Sequence, residues 1–343
     1  MSELDESLLT VGSTSPFLPG TQIQFAWDST SIGMIKTCPR LYYYTMIEGW
    51  VPKGDSIHLK FGIEYHHAME TYAHLRAIAI THEDAVRHTV SDLLNRTRDW
   101  VLDPTSKAHK YKNRDTLISV VVDYLDYFID DPCETYIKSD GSPAVELSFR
   151  FELDFGPNVE RLIGEPSSFH TPYILSGHLD RVVRFNDHLF VMDHKTTTTT
   201  PSQYYFDQYD PNNQMTLYTI AGGVVLHTPI KGVIIRAAQL LLEKPHRFIS
   251  GFTYRTPDQI EEWLLDLRYH LAKAEEYATE GYWPMNDTAC GNYGGCKFRE
   301  VCSKSPDVRE RFLAADFNKL EEGERWNPLR SRGPEEEKKN ANN

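Results

Sequence analysis

Several features that would assign a class at once are missing from the sequence. It has no run of 18 consecutive apolar residues, which excludes a membrane-spanning helix of ordinary length. Its first ten residues, MSELDESLLT, are acidic and polar, so no secretory signal is expected there. No glycine-rich loop ending in Lys-Ser or Lys-Thr occurs, so no ATP-driven motor is expected on this chain. Positive charge is in deficit, 36 Lys+Arg against 49 Asp+Glu for a net −13. That argues against coating nucleic acid through bulk charge and leaves a local grip open. Cysteine is scarce, five in 343 residues, and an odd number does not make a disulfide framework. A soluble protein of a reducing compartment, hence the cytoplasm, is the expectation. What the chain does have is 40% hydrophobic residues, 12% of all residues being aromatic, enough for a sizeable core.

Organisation follows from periodicity. Residues 1–24 are rich in Ser, Thr, Pro and Gly and read as a flexible arm. A short helical segment over 28–48 is broken at Cys38-Pro39, a helical pattern runs from Phe61 to about Trp100, and another helix covers 114–129. Val145, Leu147, Phe149, Phe151, Leu153 and Phe155 then alternate with polar residues, the pattern of a half-buried strand. Strands are expected near 173–185 and 188–195, joined by a tight Asn186-Asp187 turn, and at 232–241, with a helix over 212–222 between the last two. Thr256, Pro257 and Gly281 punctuate a long final helix with Ile260, Trp263, Leu264, Leu267 and Leu271 inward. From 317 the chain is charged and Asn-rich, a disordered tail by composition. The fold class is α/β: a small mixed sheet flanked by helices.

The chemistry concentrates in GHLDRVVRFNDHLFVMDHKT, residues 177–196. Asp180 lies on one strand of the expected hairpin, and Asp193 and Lys195 lie two apart on the next, sharing a face. Converging half-buried carboxylates repel unless a cation joins them, and oxygen ligands suit Mg²⁺ or Mn²⁺. An exposed face carrying a salt bridge accounts for Asp-x-Lys equally well on its own.

The Gly-x-x-Asp strand (Gly177, Asp180) followed by Asp-x-Lys resembles the core of the PD-(D/E)XK nuclease superfamily, and three further stretches resemble its RecB-like exonuclease branch. FGIEYHHAME (61–70) matches that branch's Gly…His…Glu helix, which implies His66, rather than its neighbour His67, as a metal ligand. NNQMTLYTIAG supplies Gln214 and Tyr218, four apart on one helix face. Glu146 matches a glutamate that precedes the Gly-x-x-Asp strand, although a solvated strand face explains it too. The resemblance implies metal-assisted hydrolysis of DNA phosphodiester bonds, as an exonuclease acting in recombination, repair or replication. It implies ions held by Asp180, Asp193, the main-chain carbonyl of His194 and His66, with Lys195 beside the reacting phosphate and Gln214 and Tyr218 guiding the strand. A single strand of DNA fits best, with Lys107, Lys110, Lys112, Arg114, Lys297 and Arg299 as candidates for a basic track, or as ordinary solvated surface. Any helicase or recombination partner is a separate polypeptide. The competing readings are a catalytically inactive DNA-binding subunit with the same fold and an unrelated metal hydrolase.

Cys290, Cys296 and Cys302 recur every six residues, and Cys38 sits far upstream. Three clustered C-terminal cysteines plus one distant N-terminal cysteine resemble the iron–sulfur staple of the AddB nuclease domain and the CRISPR-adaptation nucleases. The implied group is a 4Fe-4S cluster clamping the chain ends, with zinc or plain buried thiols as alternatives. The relatives commonly place the first two of these cysteines as Cys-x-x-Cys, a tighter spacing than here. Cys133 has no partner in this scheme. The expected domains are the arm 1–24, one nuclease domain 25–316 and the tail 317–343. Within the domain lie a helical part 25–140, a nuclease core 141–255, and a terminal helix with cysteine clamp 256–306.

Overall fold

The computed structural model describes residues 15–330, apart from 55, 104, 165–170, 243, 244, 293 and 294. Residues 1–14 of the expected arm and 331–343 of the expected tail lie outside the described residues, as does Gly294 between the cysteines.

The chain divides into two compact units. One contains Met1–Gly54, Ser148–Gly177 and Glu261–Asn343, the other Asp55–Leu147 and His178–Ile260. The strands Val145–Glu152 and Ile174–Phe185 each change unit part-way along. A sequence read in consecutive blocks does not reveal a chain that leaves a unit and returns to it.

The second unit holds the mixed sheet. Ile174–Phe185 and His188–Thr197 form the expected antiparallel hairpin, with Arg181 opposite Met192 and Phe185 opposite His188. Asn186 and Asp187 take φ of 47° and 61°, the left-handed pair that a two-residue hairpin turn needs and that Asn and Asp tolerate. His188–Thr197 runs parallel to Gly232–Gln239 through the helix Asn213–Leu226, which Asn212 caps through the amides of Gln214 and Met215. Every residue of Gly232–Gln239 is buried, as a strand covered on both faces must be. The antiparallel strand Arg247–Thr253 follows it and lacks a legible signal: Arg247, Ser250 and Gly251 interrupt its apolar residues. Gly251 sits against the Phe206 ring, where a Cβ would approach to 2.2 Å.

Helices Ile57–Ala77, His82–Arg96 and Arg114–Tyr127 pack Phe61, Tyr65, Met69, Leu93, Leu117, Val120, Val121 and Leu125 with Ala238 and Leu240. The single helical pattern expected from Phe61 to Trp100 is two helices. Ala79 adopts φ 66°, and Thr81 caps the second helix through the Asp84 amide at 3.2 Å. Asn113 caps the third through the Thr116 amide at 2.9 Å.

In the first unit, Asp28 and Ser31 form a capping box that starts the helix Ser29–Thr37, and the break at Cys38-Pro39 falls where the sequence puts it. Ala26–Trp27 pairs in parallel with Ile174 and Leu175. The helix Pro257–Glu280 ends before Gly281 at φ 62°, with Trp263, Leu267 and Leu271 buried. Ordered structure extends beyond the expected limits at both ends. Leu18 and Ile23 are buried, and Phe17 bridges Gln24. Phe317–Lys319 pairs antiparallel with Trp50–Pro52, and the Trp326 indole donates to Asp28 at 3.0 Å. Three apolar anchors, Phe317, Trp326 and Leu329, sit among charges that dominate the composition of that stretch.

Candidate active site

The hairpin and the parallel strand beside it fix most of the site, all within the second unit. Asp180 and Asp193 are 7% and 1% exposed. Lys195 reaches back along its own strand, placing Nζ 3.0 Å from Asp193 Oδ1 and 2.7 Å from Oδ2. It also donates to Gln214 Oε1 at 3.0 Å, and Gln214 Nε2 donates to the Tyr218 hydroxyl at 3.0 Å. The i,i+4 spacing on Asn213–Leu226 thus builds a relay ending on the lysine.

His66, on Ile57–Ala77, sets Nδ1 2.8 Å from Asp180 Oδ2, and the His194 amide approaches the same oxygen at 3.4 Å. The adjacent His67 turns away to Asp92 at 2.9 Å. The His194 side chain points to the opposite face of the strand from Asp193 and Lys195, its ring 5.5 Å from the Tyr124 centroid and 6.3 Å from that of Tyr65.

Charge is distributed unevenly. Burial alone would raise the Asp180 carboxyl, but His66 beside it outweighs this and holds it far below the usual range. Asp193 moves the other way: burial raises it, the Asp180 charge adds to the rise, and Lys195 opposes both. Burial would lower the His66 imidazole, and the Asp180 carboxylate more than offsets it, so the ring binds its proton more tightly than usual. Burial pushes His194 well below its ordinary value and keeps it neutral.

The donor set fits a divalent cation. Ligand atoms of His66, Glu70 and Asp180 lie within 4.8 Å of one another, the only such set of three or more His, Cys, Asp or Glu side chains among the described residues. Buried Asp193 Oδ2 accepts no hydrogen bond of good geometry, although the Lys195 ammonium is close. Imidazole with carboxylate oxygens suits Mg²⁺ or Mn²⁺, and such an ion would replace the His66 proton as the charge Asp180 faces. Asp193 lies outside the convergent set, turned toward Lys195. Glu70 is absent from the ligand set read from the sequence; its signal is its place one turn after His66, where i,i+4 residues share a face. Glu146 is on the exposed side of its strand.

In the first unit, Cys38 meets the C-terminal cysteines. The Asn286 amide donates to Cys38 Sγ at 3.3 Å, and the Cys290 thiol donates to the Asn286 carbonyl at 3.8 Å. The Cys290 thiol is raised by burial and by Cys296 and Cys38. Burial raises the Cys302 thiol, the nearby Arg40 and Arg309 oppose the rise, and Cys296 and Cys38 add to it. All four are free thiols. Cys296 and Cys302 pack against Tyr44, Phe298, Val301, Leu313 and Phe317. Cys133, in the second unit, lies in an apolar cluster with Val183, Phe190, Met192 and Ile234.

Of the basic candidates, Arg114 is structural, donating to Thr97 Oγ1 and the Leu94 carbonyl at 3.2 Å each.

A mixed sheet presenting buried Asp180, Asp193 and Lys195, with a histidine–glutamate helix beside it, defines an α/β protein of nuclease type. The sequence model of the PD-(D/E)XK nuclease superfamily matches residues 29–303, and the chain belongs to that superfamily. Members typically use divalent metals. Among solved structures, one from Eubacterium rectale, of a protein provisionally named an exonuclease, is similar over 81% of this chain and 93% of that one. The identity is 10% and the TM-score 0.42, too distant to carry an argument. No curated protein matches the chain. Among the described residues, no helix is long and apolar enough to cross a membrane.

Proposed function

We propose that this protein is a divalent-metal-dependent deoxyribonuclease of the RecB-like branch, an exonuclease that prefers single-stranded DNA and serves recombination, repair or replication. The observation carrying the reading is the convergence of His66, Glu70 and Asp180 beside the buried Asp193–Lys195 pair. Mg²⁺ or Mn²⁺ held by His66, Asp180, Asp193 and the His194 carbonyl, with Glu70 at hand, supplies Lewis-acid activation of water and neutralises phosphate charge. Lys195, fixed between Asp193 and Gln214, keeps its ammonium aimed at the charge that develops on the phosphate. Gln214 and Tyr218 orient Lys195 and line the strand's path.

The cysteine quartet is read as the ligand set of a 4Fe-4S cluster. A tetrahedral zinc thiolate site, with Zn–S near 2.3 Å, draws its sulfurs to roughly 3.8 Å from one another. Among the described residues no three of these sulfurs lie within 4.8 Å of each other. A cluster in which each thiolate takes a separate iron accommodates the wider spacing.

The test is nucleotide release from end-labelled single- and double-stranded DNA in Mn²⁺, Mg²⁺ or EDTA, beside Asp193→Ala. Metal-dependent release, lost by about 10³-fold or more in the variant, is expected. Wild-type protein that releases nothing, or a variant as active as wild type, overturns the reading. A colourless protein from anaerobic, iron-replete expression with one zinc per chain overturns the cluster.

A further inference from the structure

The helix Ile57–Ala77 has a second stripe besides its core face. Phe61, Tyr65, Ala68, Met69 and Ala73 are buried. At about 100° per residue, Leu59, Ile63, His66 and Glu70 fall within about 60° of one another on another side. The latter two belong to the metal-type site described above. The former two are aliphatic and turned to water, 65% and 47% exposed. Gly62 beside them leaves open space where a Cβ would stand. An apolar stretch that continues straight into a site is a surface waiting to be covered.

Cations gather at the same helix end. Lys112 Nζ stands 5.5 Å over the Phe61 ring. The short helix Lys107–Tyr111, which carries Lys107 and Lys110, packs against Ile57–Ala77 beside it. Lys107, Lys110 and Lys112 form no ion pair with a described residue. On a chain of net charge −13, this is a local exception whose complement is a phosphate backbone.

We propose that Leu59 and Ile63, with Lys107, Lys110 and Lys112 beside them, form the surface along which a single strand of DNA enters the active site. The aliphatic side chains lie against bases and the cations against phosphates. The inference rests on the nuclease reading above and adds the strand's path to it. Ile63 precedes His66 by about 4.5 Å along the helix axis and Leu59 lies about 6 Å further out, so the two lead along the helix toward the site.

The test is fluorescence anisotropy of a fluorescein-labelled oligothymidylate in EDTA, so that binding is read without cleavage. Leu59→Ala/Ile63→Ala replaces two residues by a better helix former, and its melting temperature checks the fold. About tenfold weaker binding is expected, with the salt dependence kept. Lys110→Glu/Lys112→Glu is expected to weaken binding and flatten the dependence of log K on log salt by about 0.7 per lost contact. Wild-type protein that binds no strand, or both variants binding as wild type does, overturns the proposal. So does a wild-type dimer that Leu59→Ala/Ile63→Ala turns into monomers without changing strand binding, since the stripe then serves a second copy of this chain. Binding that responds to the variants, in a protein that releases no nucleotides in Mn²⁺, removes the nuclease reading and leaves the surface standing. Nucleotide release together with binding indifferent to both variants does the reverse.

Discussion

At the carboxylate site the chain supplies countercharges for its own acids: His66 faces Asp180, and Lys195 faces Asp193. At the cysteine site no side chain pairs with a sulfur so directly: Cys38 and Cys290 share the amide and carbonyl of Asn286, and Arg40 and Arg309 act on the buried Cys302. The first site stands on strands whose register is fixed by paired neighbours and a two-residue turn. The second is assembled from a helix break and a loop some 250 residues downstream. A site built on strands is held in shape by their own pairing, whereas thiols brought together from distant segments depend on the packing of both segments.

The largest effect should come from a pair that is purely structural and so sharpens the contrast. Arg236 is 3% exposed, bidentate to Asp131 at 2.6 and 2.7 Å, and 3.8 Å over the Phe128 ring. Asp131→Ala strands this buried guanidinium and should cost about 3–5 kcal/mol in urea unfolding. A loss below 1 kcal/mol would mean that water reaches it.

Next, Cys296→Ser should bleach the visible absorbance and lower the melting temperature by several degrees, while Asp193→Ala should leave that absorbance in place. A Cys296→Ser protein that melts like wild type would abolish the distinction between a clamp and a preformed site.

A smaller, graded effect is expected of pH. His66 holds its proton above its ordinary 6.5, so the stability it contributes is full below that value and fades as pH rises through the raised one. Depressed Asp180 contributes above about pH 3.9, and its share is lost as pH falls. A metal must expel the His66 proton, so Mn²⁺ affinity measured by calorimetry should rise toward tenfold per pH unit until that proton is gone. A flat profile would take His66 out of the ligand set. Smallest is the reactivity of Cys133. Burial pushes its thiol up to about 11, leaving roughly one thiolate in a thousand at pH 8. In native protein it should react with a thiol reagent far more slowly than a surface thiol does. Labelling as fast as a surface thiol would show that its pocket opens.

Much of the second unit was legible in advance. Alternation, the Asn-Asp turn and the i,i+4 pair Gln214–Tyr218 are local signals, and the structure keeps hairpin and helix within a few residues of where they point. Helix ends with side-chain caps, at Asn113 and Thr256, were legible for the same reason. The strand Arg247–Thr253 was not, because its residues take their places from Gly232–Gln239 and from the Phe206 ring rather than from a pattern of their own. The strand at Phe317 was hidden in the same way, its partner Trp50–Pro52 lying some 265 residues upstream.

The sequence by itself determined which residues can do chemistry: an Asp-x-Lys strand after a Gly-x-x-Asp strand, a histidine on a helix, and four cysteines in two distant groups. These follow from local spacing, and spacing along a strand or helix converts directly into a shared face. Only the tertiary structure decided that Glu70 joins His66 and Asp180, that Asp193 turns to the lysine, and that Cys38 and Cys290 meet at Asn286. Those outcomes depend on how helices and sheet are rotated and packed against one another, a quantity summed over many weak contacts and carried by no single stretch of chain.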